Sequence, residues 1–338
     1  LQTLNLFENQ ITDVLPLSRL TNLHTLNLSN NQIKSVSVLS NLTNLQTLNL
    51  SRNQIENASS LINLTNLETL DFGGNPISHL AFLDKLTNLK ALNLSGSLIS
   101  NWQLEENLPS LKTLDLSYNQ LKDISFVEKL KNLQWIGLNN NQISDVSFLD
   151  KLTHLQQLDL SYNQIIDVPF GENLRHLRML NLRGNQINDE SFWGNLGHLK
   201  EIDLRENQIV NGQFLESLTN VLSLNLRENQ IIDGASLRNL TNLQMLHLRD
   251  NQITDGSFLA NLTNLRRLHL RDNQISDGAF LKNLTNLIEL NLCDNQITDL
   301  SFLENLTNLS HLDLRYNPIS KDSPFLDRLT SMDRLRLS

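Results

Sequence analysis

"LTNLQTLNLSRNQI", residues 42–55, decides the fold. It returns almost unchanged as "LTNLHTLNLSNNQI" at 20–33 and as "LTNLSHLDLRYNPI" at 306–319. Leu45, Leu48 and Leu50 fall on one side of the chain, and Ile55 joins them after a turn. Around Leu48 and Leu50 apolar and polar residues alternate, the period of a short strand. The asparagine after each "LxLxx" marks the repeat. It stands at Asn9, Asn31, Asn53 and Asn75, then at Asn119 and every 22 residues to Asn317, with Ser97 in the one slot that lacks it. These fifteen slots run through 338 residues without a linker or a shift in composition. Strands that recur at a fixed period stack in parallel register. Fifteen or sixteen of them in one sheet, and one domain over residues 1–338, are expected. After Asn317 the phase slips, because Phe325 and Leu329 come one residue late and make the last repeat 23 residues long.

The return limb, as in "DVSFLDKLTHL", directs Phe148, Leu149 and Leu152 to the same interior. Asp145 sits where an N-cap would open a short helical or 3₁₀ turn. A strand on one side and a tight turn on the other give an α/β repeat solenoid with strands on the concave face. The pattern "LxxLxLxxNxIxDxxxLxxL" resembles the leucine-rich repeat family, and the 22-residue unit is most similar to bacterial internalin-type and phosphatase-regulator-type repeats. The resemblance covers nearly the whole chain. It implies an arc with a parallel concave β-sheet and short helical or 3₁₀ turns on the convex side. It implies a concave face that binds macromolecules, usually proteins, and it rarely implies catalysis. The repeat asparagines resemble the family's ladder, whose buried amides pair the backbone of neighbouring coils.

Bulk composition agrees with many small layers rather than one irregular core. A single core seldom exceeds roughly 250–300 residues, and here apolar residues are 39% and aromatic ones only 5%. The net charge of −9 argues against nucleic acid. No apolar run approaches the ~20 residues of a membrane span, so no membrane insertion is expected. The lone Cys293 excludes an internal disulfide. The chain opens at Leu1 inside a repeat, and no signal peptide is visible, so it reads as a fragment of a longer protein of open compartment. Leu1, Leu4 and Leu6 at one end and Leu335 and Leu337 at the other carry no capping sequence, which predicts end-to-end self-association.

A fixed period lets the strand face be read as columns. Counting back from the repeat asparagine, positions −6, −4 and −2 point outward, and −1 closes the strand. Column −2 holds Ser29, Ser51, Gly73, Ser95, Ser117, Asn139 and Ser161, then Arg183, Arg205, Arg227, Arg249, Arg271, Cys293 and Arg315. Arginine suits bidentate carboxylate recognition, so this comb is a candidate docking stripe for an acidic partner. The competing reading is self-neutralisation by Glu206, Glu228, Asp250, Asp272 and Asp294 in column −1 and by Asp203 and Asp313 in column −4. Column −4 also stacks His247 on His269. Exposed aromatics are expected at Tyr118 and Tyr162 in column −1 and at Trp135 in column −6, with Met179 two repeats on. Trp102 and Trp193 fall in the return limb and read as packing.

A second histidine column, His154, His176 and His198, lacks the carboxylate or cysteine that would complete a metal site. The "NLT" triplets at Asn41, Asn63, Asn239, Asn261, Asn283 and Asn305 follow from the repeat and carry no evidence of secretion. Cys293 is expected to be exposed and inert. No catalytic residue, metal or cofactor is expected. The expected function is a module that binds a protein partner on its concave face. Alternatives are the recognition arm of a larger enzyme, a GTPase or ligase, and a bacterial surface adhesin.

Overall fold

The computed structural model describes residues 1–77, 79–320 and 334–336. The chain divides into two compact units, the first Leu1–Ile165 with Phe170–Leu177 and the second Ile166–Pro169 with the described residues from Arg178 on. The first contains β1 (Thr3–Asn5), β2 (Thr25–Asn27), β3 (Thr47–Asn49), β4 (Thr69–Asp71), β5 (Ala91–Asn93), β6 (Thr113–Asp115), β7 (Trp135–Gly137) and β8 (Gln157–Asp159). The second contains β9 (Met179–Asn181), β10 (Glu201–Asp203), β11 (Ser223–Asn225), β12 (Met245–His247), β13 (Arg267–His269), β14 (Glu289–Asn291), β15 (His311–Asp313) and β16 (Arg334–Arg336). Within each unit the strands pair in parallel and in chain order, as the period requires. Each residue faces the one a repeat later, as Leu48 faces Leu70. At the last pair His311 faces Arg334, 23 positions on, so the longer final repeat is real. Phe325, Leu329 and Leu337 lie outside the described residues.

Each strand is three residues long, and the ladder continues past it. Leu50 N–H donates to Asp71 O and Arg52 N–H to Gly73 O. Column −1 then turns the chain in the left-handed region, with φ near +55° at Tyr118, Tyr162, Glu206, Glu228, Asp250 and Asp272. Five-residue 3₁₀ turns such as Ser37–Asn41 and Ser147–Lys151 form the opposite side. Val146, not Asp145, occupies the cap position. Asp145 acts one residue earlier, its Oδ1 accepting the Ser147 N–H at 2.9 Å. The same two-residue turn recurs at Asp123, Asp233, Asp255, Asp277 and Asp299.

Between strand and turn lies a core of leucine and isoleucine, fully buried at Leu45, Leu48, Leu50 and Ile55. Leu149 and Leu152 join it as expected, but Phe148 is only half-buried. The reason lies 24 residues back. Phe258 and Phe280 pack directly over Gly234 and Gly256. The place under Phe148 is taken by the buried side chain of Ile124, which leaves no room for a ring.

The asparagine ladder ties successive coils. Asn163 Nδ2 donates to Leu138 O and Leu160 O, both at 3.0 Å, and its Oδ1 accepts the Ile143 N–H at 3.0 Å. At Ser97 the ladder is interrupted. Ile77 N–H turns instead to Asn75 O at 2.8 Å.

Candidate functional site

What the strand face presents follows from which outward positions the fold needs. Column −4 is needed. Its Asn or Asp Oδ1 accepts the backbone N–H two residues on, from Ser29 to Asn27, Ser51 to Asn49, Ser117 to Asp115 and Ser161 to Asp159. That N–H has no partner in the ladder, so the carboxamide or carboxylate satisfies it. Three rows give this bond up, at Gly137, His247 and His269.

In the second unit the arginines of column −2 are held by the chain's own carboxylates. Arg183 pairs with Glu206, and Arg205 with Asp203 at 2.5 Å. Arg227 pairs with Glu228 and lies 3.3 Å from Asp250. Arg249 lies 3.0 Å from Asp250 and 3.6 Å from Asp272, and Arg271 lies 3.0 Å from Asp272 and 3.3 Å from Asp294. Arg315 pairs with Asp313 at 2.7 Å. Burial alone would raise the Asp313 pKa, but the hydrogen bonds and charge of Arg315 hold it below the usual carboxylate range. The bridges alternate within a row and between rows, so the stripe is a knitted, charge-balanced comb.

His247 and His269 stack with ring centroids 4.3 Å apart. His269 Nε2 lies 3.0 Å from Glu289 Oε1. Burial, and then the charge of His269, push the His247 pKa down to about 4. Cys293 corrects an expectation: it is fully buried, not exposed. Short side chains in column −2 lie low in the face, and Ser29, Ser117 and Ser161 are buried there too. Burial, and its hydrogen bond to Asp294, push the Cys293 thiol up to about 11, so it stays protonated.

The first unit presents a different face. Trp135 is half-buried, and its indole edge lies over Gly137. Tyr118 and Tyr162 are 63% and 38% exposed, so the expected aromatics do stand on the surface. Sequence reading missed a third tyrosine of column −1, Tyr316, 69% exposed. It follows the same count from the repeat asparagine and was legible in principle. Trp102 and Trp193 pack in the return limb against Phe126 and Phe214, with centroids 4.9 and 4.3 Å apart.

The "LTNL" asparagine forms a second, outer ladder that the sequence reading did not assign. Asn44, Asn66 and Asn88 Nδ2 donate to Thr21, Thr43 and Thr65 O, each at 2.9 Å. His154 and His176 take over this bond, with Nδ1 against Lys131 O at 3.2 Å and Thr153 O at 3.1 Å. Their role is thereby structural. Among the described residues no three His, Cys, Asp or Glu side chains gather to hold a metal ion. None of their helices is long and apolar enough to cross a membrane.

The period, the parallel strands, the 3₁₀ turns and the amide ladder define a leucine-rich repeat solenoid. The family described as Leucine Rich repeats (2 copies) matches residues 1–41, 43–85, 87–129, 109–151, 131–176, 153–196, 241–283 and 285–328. The chain therefore belongs to the leucine-rich repeat family. Among solved structures it is similar to an internalin of Listeria monocytogenes, with 30% identity, 100% of this chain and 87% of that one covered, and a TM-score of 0.65. It is also similar to a leucine-rich repeat protein of Leptospira interrogans, with 27% identity, 99% and 95% covered, and a TM-score of 0.80. The functional domain of InlJ from Listeria monocytogenes shares the fold at 21% identity, with 93% and 73% covered and a TM-score of 0.69. No curated protein matches the sequence significantly.

Proposed function

We propose that this protein is an interaction module that binds a protein partner across its strand faces and performs no chemistry of its own. One observation carries the reading. Core and ladder columns repeat from row to row, whereas columns −6, −4 and −2 change from hydroxyl and carboxamide to charged and aromatic side chains. The fold needs only the Asn or Asp of column −4, so the rest of that variation is free for recognition. Candidate contacts are Arg183, Arg205, Arg227, Arg249, Arg271, Arg315 and their carboxylates, His247 and His269 in the second unit, and Tyr118, Trp135 and Tyr162 in the first. A second reading, adhesion at a bacterial surface, is favoured by the likeness to the Listeria internalin over the full length of this chain. Because the 22-residue phase runs through both units in the sequence, a single solenoid domain remains part of the proposal.

The test is a charge exchange within one row, Arg227→Glu with Glu228→Arg, compared with Glu216→Arg with Arg238→Glu on the exposed 3₁₀ side. Both keep the net charge. A partner recovered from host extract should lose about 2 kcal/mol or more of affinity for the first variant only. Equal recovery by both would place the contact away from the comb. Thermal melts run alongside, because the exchange sets a new carboxylate beside Asp250.

A further inference from the structure

Charge on the two strand faces is balanced differently. In the second unit every acid of column −4, Asp203 and Asp313, carries an arginine. In the first unit column −4 holds Asp71, Asp115 and Asp159, and among the described residues none of the three has an ion pair. Columns −6 and −2 of that unit hold no lysine or arginine at all. Asp71 shows the consequence. Burial raises its pKa, hydrogen bonds oppose this, and the negative charge of Asp115 raises it further, with no cation among the causes. The nearest bases lie off the face. Lys90 is paired with Glu68 at 2.7 Å, and Lys112 lines a side depression with Pro109, Asn132 and His154. Arg52, in column −1, lies against Gly74.

Trp135 stands in the middle of this uncompensated stretch. Its row gives up the column −4 hydrogen bond, since Gly137 has no side chain to make it. The glycine serves the ring instead. A Cβ at Gly137 would lie 2.7 Å from Trp135 Cη2 and 3.0 Å from Asp115 Oδ1. Indole and carboxylate therefore meet over the same bare backbone. Asp159 faces Gly137 from the other side, in register on β8. Asp115 and Asp159 each accept the Ser N–H and Oγ–H two residues on through Oδ1, which fixes both carboxylates and leaves their Oδ2 atoms to a ligand. An aromatic ring set between two fixed, unpaired carboxylates attracts a cation by charge and by the π-face together.

We propose that Trp135, Asp115 and Asp159 form a subsite for a lysine or arginine side chain presented by a basic segment of the protein partner. The proposal rests on the interaction-module reading above but is tested without the partner. The chain has three tryptophans, so 5-fluorotryptophan labelling gives three ¹⁹F resonances, with Trp102 and Trp193 as internal controls. The probe is a capped tri-lysine peptide. The expected result is a saturable shift of the Trp135 resonance alone, weakened by added salt. Asp115→Asn with Asp159→Asn should raise Kd about fivefold or more, while retaining the fold's hydrogen bonds through the amide oxygens. Gly137→Ala should abolish the shift by displacing the ring with no change of charge.

A Trp135 resonance that stays put, that moves equally with tri-glutamate, or that moves only with a neutral disaccharide would overturn the proposal. The last outcome would mark a sugar-stacking platform instead. Failure here would leave the module reading standing, because that reading is judged by partner recovery with the row exchanges.

Discussion

Asn163 makes with one amide the bonds that would otherwise leave a coil unpaired. Its Oδ1 accepts the Ile143 N–H, and its Nδ2 reaches Leu138 O and Leu160 O. Leu138 O keeps a second donor in Asn141, so the group truly orphaned by Asn163→Leu is the buried Ile143 N–H. The substitution should cost about 1–3 kcal/mol by chemical denaturation. A melt identical to the parent would remove the ladder's structural role. His247 gives a pH effect of defined sign. An unfolded imidazole titrates near 6.5, and in the fold burial and His269 hold His247 at about 4. Between those values the unfolded chain binds more protons, so this contribution is fully present above about pH 6.5 and is lost as pH falls toward 4. Denaturation midpoints should drop across that window, and His247→Asn should flatten the drop. The ladder was legible because its residue type and period coincide. Cys293 was misread because a column says which way a side chain points, not how far it reaches.

The 3₁₀ limb shows how one element's packing is set by the row before it. Its "DGSF" and "DGAF" rows look like variants of "DVSF", and the sequence alone treats them as equivalent. They differ in what lies 24 residues back. Phe280 fits because Gly256 is bare, at negative φ, and a Cβ there would come within 2.3 Å of the ring. Close approach, not backbone freedom, demands this glycine. Gly256→Ala should therefore destabilise by about 1–3 kcal/mol through overpacking. Phe280→Leu in the same chain should recover most of that loss. If Gly256→Ala melts like the parent, the ring has another place to go. The existence of strands and turns was readable from period and alternation. Phe148's half-burial was not, because it depends on volume matching between rows rather than on either row's own pattern.

At the scale of the whole molecule, the fifteen-slot count and the 23-residue last repeat were legible to the residue, since translation along a solenoid is written directly into the spacing. The division into two units was not, because no linker or composition shift marks it. The candidate site was half legible. The comb's residues were identified, but which carboxylate each arginine takes depends on rotamers that no spacing encodes. The chain termini bring the remaining consequence. β1 pairs with β2 on one side only, and Leu1 is 70% exposed while Leu4 and Leu6 are half-buried. Leu335 on β16 is likewise half-buried. A strand with one unpaired row of N–H and C=O groups, next to a partly open leucine layer, is a template for another chain. The 338-residue chain should therefore associate reversibly with rising concentration in sedimentation equilibrium. Thr3→Lys with Asn5→Lys places like charges on β1, and two such edges repel, so this variant should shift the equilibrium toward monomer. A parent that stays strictly monomeric at high concentration would show that half-burial of Leu4 and Leu6 is protection enough. A parent that associates equally well with the lysines in place would move the contact away from β1.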